Sequence, residues 1–232
     1  YRNLKANHSL SPTYLGDSYY AGTKLSNDFA VCGANYWTDC TVWQITNSHE
    51  IALVSRGKAE LITADYIIIA TGAIERAMPV KGWTLPGVMS VGGAQTLLKQ
   101  AALGADEAVF VGSGPLLYLT VWQYIKAGLS VSAVIDTTGR SQWLSALAFA
   151  PLALLQPDML AMGQKWLREI RQKVDVITNV EEVEIAGRSQ VEGLSYTTSS
   201  GERIDLPAKH VFLHQGVIPN INLSMATGLE HR

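Results

Sequence analysis

Five apolar runs bounded by turn-forming residues dominate the hydropathy pattern: residues 65–70 (DYIIIA), 107–111 (EAVFV), 130–135 (SVSAVI), 174–178 (VDVIT) and 209–213 (KHVFL). Each predicts a strand buried on both sides, as in parallel sheets covered by other elements. Residues 41–46, 50–55 and 58–63 alternate more and are separated by Asn47-Ser48 and Arg56-Gly57, which predicts an antiparallel meander. A second meander is expected over 181–206, turning at Ala186-Gly187-Arg188 and Ser199-Ser200-Gly201.

Helices are expected between these runs. Pro115 opens one that Gly128 closes, with an almost uniformly apolar interior. Another runs from Gly92 or Gly93 to Leu103 and ends at Gly104, and a third covers Gln164 to Lys173 with its cations toward the C-terminal end. The apolar stretch from Trp143 to Gly163 is long enough to suggest a membrane span, but Pro151, Gln156, Pro157 and Asp158 interrupt it. Broken helices over a hydrophobic surface, either core or a contact with a partner chain, are expected instead.

Composition narrows the class. Of 232 residues, 47% are hydrophobic and only 16% charged, which excludes disorder. The 18 Lys and Arg against 20 Asp and Glu leave a net charge of -2, so no electrostatic footprint for nucleic acid or an anionic membrane exists. Cys32 and Cys40 are too few for a disulfide scaffold or a metal site and suit thiols of a reducing cytoplasm, the expected location. No secretory signal is visible after Tyr1, and further residues are expected to precede it.

Chemistry concentrates where the run 107–111 meets Gly112-Ser113-Gly114-Pro115-Leu116-Leu117, a strand turning through two glycines into a helix. A pyrophosphate would dock there: Gly112 permits the turn, Gly114 lets the phosphate reach the main chain, and the helix start carries partial positive charge. Asp136, closing the next strand, can accept hydrogen bonds from both ribose hydroxyls of an adenosine, and its charge favours NAD over a 2'-phosphate. The third glycine position holds Leu117, so an empty or repurposed pocket, with Asp136 a plain turn residue, stands as the alternative. The first apolar run ends in Ala70-Thr71-Gly72, by itself only a small-residue turn. The five histidines form no ligand-spaced set, no metal site is expected, and Ser113 reads as a phosphate-loop residue rather than a nucleophile.

A meander, IIIATGA, a crossover and a second nucleotide-binding unit together resemble the two-dinucleotide-domain flavoproteins related to glutathione reductase. Within them, Ala70 to Ala73, Glu75-Arg76, Gly82 to Val88 (GWTLPGV), Gly112 to Leu117 and Leu213 to Asn220 (LHQGVIPN) are similar to a signature of opine oxidase A subunits. Hydrogen cyanide synthase B subunits, the α subunits of some amino-acid dehydrogenases and a segment of sarcosine oxidase α share it. The resemblance implies an α/β fold: a Rossmann-like NAD(P)-type domain over 81–206, inserted into an incomplete FAD-binding domain formed by 1–80 and the return segment 207–232. It implies that Ala70, Thr71 and Gly72 line a flavin-nucleotide site, and that Gly112, Ser113, Gly114 and Asp136 belong to a second site for NAD or another adenine nucleotide. The family's first glycine-rich loop lies outside this sequence, so FAD is expected in the full-length protein and not stably bound by this fragment alone.

The implied function is that of a flavin-dependent oxidoreductase subunit, working with a partner chain in a hetero-oligomer. It would oxidise a small molecule, an opine, amino or imino acid, by hydride transfer to flavin. No residue is assigned to proton abstraction. An NAD(H)-dependent reductase and a non-catalytic nucleotide-binding scaffold are the rival expectations.

Overall fold

The computed structural model describes Leu15 and residues 22–231. They fall into two units: Ala21–Ile74 with Val217–Arg232, and Glu75–Gly216, to which Leu15 also belongs.

The smaller unit opens with α1 (Gly22–Val31) and the meander β1 (Cys40–Ile45), β2 (Glu50–Ser55) and β3 (Lys58–Thr63), antiparallel throughout. The β2–β3 connection is the two-residue turn Arg56-Gly57, with φ of 48° and 77°. Positive φ at both positions matches the twist of the flanking strands, which is why this dipeptide fixes the register pairing Ile51 with Ile62 and Leu53 with Glu60. At the other hairpin the Thr46 side chain accepts the Glu50 amide at 3.1 Å.

The run 65–70 is not a strand, contrary to its pattern. Tyr66 is 91% and Ile68 92% exposed, and among the described residues no strand pairs with it. An apolar run becomes a strand only where a neighbour takes its amides and carbonyls, a condition that hydropathy does not report. The chain next forms β4 (Ala73–Glu75) and enters the larger unit.

That unit contains β5 (Val88–Ser90), α2 (Val91–Ala101), β6 (Ala108–Gly112), α3 (Pro115–Lys126) and β7 (Val131–Asp136). The apolar stretch after it is broken as its prolines require, into α4 (Arg140–Leu147), α5 (Ala150–Ala153) and α6 (Pro157–Arg171). There follow β8 (Val176–Ile177), β9 (Val180–Ala186), β10 (Gly193–Thr198), β11 (Arg203–Pro207) and β12 (Val211–His214). Strands β5-β12-β6-β7-β8 make one parallel sheet, and β11-β10-β9 an antiparallel one.

The parallel sheet is covered on both faces, and strict alternation assigns its side chains. Phe110 and Phe212 point to the helix side, where they meet Val91, Leu98, Val121, Tyr124 and Ile170. Val109, Val111, Val211 and Leu213 point the other way, against Val183, Ile185 and Leu194 of the meander. Burial on both sides is why the runs look continuously apolar. The Phe110, Tyr124 and Phe212 rings lock edge to face at 5.1–5.9 Å, and burial pushes the Tyr124 phenol up to about 12. This is the α/β, Rossmann-like architecture with antiparallel meanders that the pattern predicts. The chain then leaves through β13 (Val217–Pro219), which pairs with β4, and ends in the short α7 (Asn222–Ala226). Among the described residues no helix is long and apolar enough to cross a membrane.

Gly112 marks the tightest point of the sheet: a Cβ built there would lie 1.7 Å from the His214 carbonyl oxygen, at a φ of +139°. Gly128, past the end of α3, has φ +83° but nothing within 4 Å. Gly112→Ala should therefore destabilise the protein by roughly 2–4 kcal/mol, while Gly128→Ala should cost only about 1 kcal/mol, the left-handed backbone alone. Equilibrium urea unfolding of the two variants checks the difference.

Candidate nucleotide-binding site

The glycine loop sits at the C-terminal end of β6, between β12 and β7, where the chain order of the sheet reverses. In open α/β sheets that is where ligands bind. The loop is held from both neighbours: the Ser113 amide donates to the His214 carbonyl at 3.0 Å, and the Thr137 amide donates to the Gly112 carbonyl at 2.9 Å. Gly112 is thus demanded by strand packing, whereas Gly114 differs. Its φ is +96° and its missing Cβ faces open space, so the backbone there is free to be approached. Pro115 follows as the first residue of α3, without an amide to spare. Leu117, in place of the third glycine, is fully buried in the helix-side core.

Asp136 is brought to the same loop, pairing in register with Gly112, and is only 7% exposed. Its carboxylate already accepts the Tyr118 hydroxyl and, at 2.8 Å, the Thr138 amide. Gly112, Ser113, Gly114 and Asp136 therefore form one cluster in the larger unit.

Ala70, Thr71 and Gly72 belong to the smaller unit. There the Thr71 hydroxyl donates to the Asn220 carbonyl at 2.7 Å, and the Asn220 amide donates to the Gly72 carbonyl at 2.9 Å. These two bonds tie the Ala-Thr-Gly turn to the residue that follows β13. Ala70, Thr71 and Gly72 are all exposed, and Gly72 has φ +74° with nothing within 4 Å of a built Cβ. The turn thus exposes a stretch of open backbone at Gly72.

One pair of residues escapes pattern reading. The His214 ring nitrogen Nδ1 lies 2.6 Å from Glu75 Oε1, inside the larger unit and almost out of solvent. The second Glu75 oxygen accepts the Gly92 amide at 2.8 Å, while Ser90 accepts the Gly93 amide at 3.1 Å, so both cap the start of α2. Burial alone would raise the Glu75 carboxyl, but hydrogen bonds from His214, Ser90 and the Gly92 amide outweigh it and hold it below its ordinary value of 4.5. Glu75 was legible only as part of the Glu-Arg signature, and no spacing rule links it to a histidine on a strand far along the chain. Among the described residues no group of three or more His, Cys, Asp or Glu side chains could hold a metal ion.

A Rossmann-like unit with a glycine loop at its switch point, inserted in a second unit that carries an Ala-Thr-Gly turn, defines the class as a nucleotide-binding oxidoreductase fold. The family described as pyridine nucleotide-disulphide oxidoreductase matches residues 30–232, and the chain belongs to it. The opine oxidase A chain of Agrobacterium tumefaciens (strain Ach5), named as a subunit, is 38% identical over 239 residues, covering 99% of this chain and 47% of its own. Hydrogen cyanide synthase subunit HcnB of Pseudomonas aeruginosa is 29% identical, over 96% of this chain and 50% of its own. Among solved structures, a NAD-dependent persulfide reductase from A. fulgidus superposes with a TM-score of 0.61 at 22% identity, over 89% of this chain and 36% of that one, a likeness of fold. The chain spans about half the length of the curated relatives it matches.

The sign of the Glu75 shift gives a pH signature. A carboxyl held low in the folded state stabilises it fully above the unfolded value and loses that contribution as pH falls through the folded one. Glu75→Gln should therefore be less stable than the parent at pH 7, with the gap narrowing steadily below pH 4.5. Urea midpoints of both proteins at pH 7 and in acid measure it, and a gap independent of pH would contradict the assignment.

Proposed function

We propose that this chain is the nucleotide-binding core of an FAD-dependent oxidoreductase subunit that oxidises an opine, amino or imino acid. The observation that carries this reading is the 38% identity with the opine oxidase A chain across 99% of this one, a span that includes the Ala-Thr-Gly turn and the glycine loop. When bound, flavin supplies the hydride acceptor for the substrate carbon. The chain's own contribution is positional. Thr71 and Asn220 hold the turn, and Gly72 would offer open backbone to the flavin nucleotide. In the larger unit the loop of Gly112, Ser113 and Gly114 would offer open backbone to a second nucleotide at Gly114. Proton abstraction is left to groups outside these clusters.

The relatives' names as subunits support a partner chain. Its proposed seat is the apolar surface of α4 to α6, where Leu144, Phe149, Leu154, Leu155 and Met159 are 64–74% exposed. Exposed side chains of this size, so close together, are the mark of an interface rather than of a free surface. A small-molecule substrate and a cytoplasmic setting complete the proposal.

Two measurements test it. The full-length protein should purify with flavin absorbance that bleaches anaerobically on addition of an opine or a secondary amino acid; a preparation without flavin, or one that only NADH reduces, would defeat the reading. Leu154→Glu together with Leu155→Glu should abolish co-elution with the partner chain while leaving the stability within about 0.5 kcal/mol of the parent. Unchanged assembly would remove this surface from the interface.

A further inference from the structure

Asp136 stands where a dinucleotide fold keeps the acid that recognises ribose, and recognition works by the carboxylate accepting hydrogen bonds from the sugar hydroxyls. In this chain both oxygens are already engaged. Oδ2 accepts the Tyr118 hydroxyl and Oδ1 accepts the Thr138 amide at 2.8 Å. Asp136 is also only 7% exposed, so little of its carboxylate is left open to solvent.

Tyr118 is well anchored in that role. It lies in the first turn of α3, directly after fully buried Leu117 and two residues before fully buried Thr120, so the helix cannot carry its ring away without opening the core. Its proton is also secure. Burial first, then the hydrogen bond to Asp136 and the carboxylate's charge, raise the phenol well above its ordinary value, and Arg171 offsets them only in part. The donor therefore persists above the pH at which a free tyrosine ionises.

We propose that Tyr118 is a specificity-determining residue that occupies, from within the chain, the acceptor an adenosine ribose would need, so that the glycine loop of the larger unit excludes NAD(H). The phosphate side of the same loop stays accessible at Gly114. Exclusion thus comes from the engaged ribose acceptor and not from the phosphate side of the loop. The inference goes beyond the flavin reading, since it concerns the other nucleotide cleft, and it argues against an NADH-driven reaction through this unit.

Calorimetric titration of the full-length protein with NADH tests it, on the parent, Tyr118→Phe and the double variant Tyr118→Phe with Asp136→Asn. Removing the hydroxyl frees a charged acceptor, so Tyr118→Phe should bind NADH at least about tenfold more tightly than the parent. The double variant should return to the parent's affinity. Equal affinity in parent and Tyr118→Phe overturns the proposal, as does a gain that survives Asp136→Asn. Should Tyr118→Phe fail to fold, Tyr118→Leu is read the same way. Flavin content, read from absorbance of the same samples, keeps a failure of the flavin reading separate from a failure of this one.

Discussion

The whole larger unit depends on how closely β6 and β12 approach each other. Their parallel pairing aligns Val109 to Gly112 with Val211 to His214, and at its end the backbone of Gly112 lies against the His214 carbonyl with no room for a Cβ. Close approach there puts the Ser113 amide on the same carbonyl and turns the chain into α3 at a fixed angle. The aromatic cluster of Phe110, Tyr124 and Phe212 lies on one side of that pairing and the meander valines on the other. Were the two strands to part, both layers would lose their floor.

His214 links this packing to the chain's passage between its two units. Its main chain fixes the glycine loop, while its ring holds Glu75, where the larger unit's main segment begins, and Glu75 caps α2 in turn. Arg76 also donates its amide to the Gly216 carbonyl at 2.9 Å, so entry and exit strands are fastened to each other inside the unit. A buried carboxylate stripped of these partners would face the full desolvation penalty, and the carboxyl is kept ionised because three donors converge on it.

Motif glycines turn out to have separate physical reasons. Gly112 and Gly114 are two residues apart and would be read together as phosphate ligands, but the first is excluded from any larger residue by strand packing and only the second faces open space. Leu117 shows the converse: a bulky residue at the motif's third position would be expected to push the helix off the sheet, and instead the core absorbs it completely. The acid at the end of β7 is present, as the spacing requires, and yet engaged by Tyr118. A spacing rule identifies the fold that a ligand site is built on; the neighbouring side chains determine whether the ligand fits.

Periodicity determined most of the architecture, because burial on two faces leaves a continuous apolar run in a strand. Both meanders, the strands at 108–112, 131–136 and 211–214, the Pro115 helix and the broken 140–171 segment all follow from local residue choice. Pairing was decided only in three dimensions. The run 65–70 has the composition of a buried strand and stays exposed, since a strand exists only beside another. The contacts of Glu75 with His214 and of Tyr118 with Asp136 join residues that no sequence pattern relates. They arise from the register of a parallel sheet, which sets the ends of distant strands and the helix between them side by side.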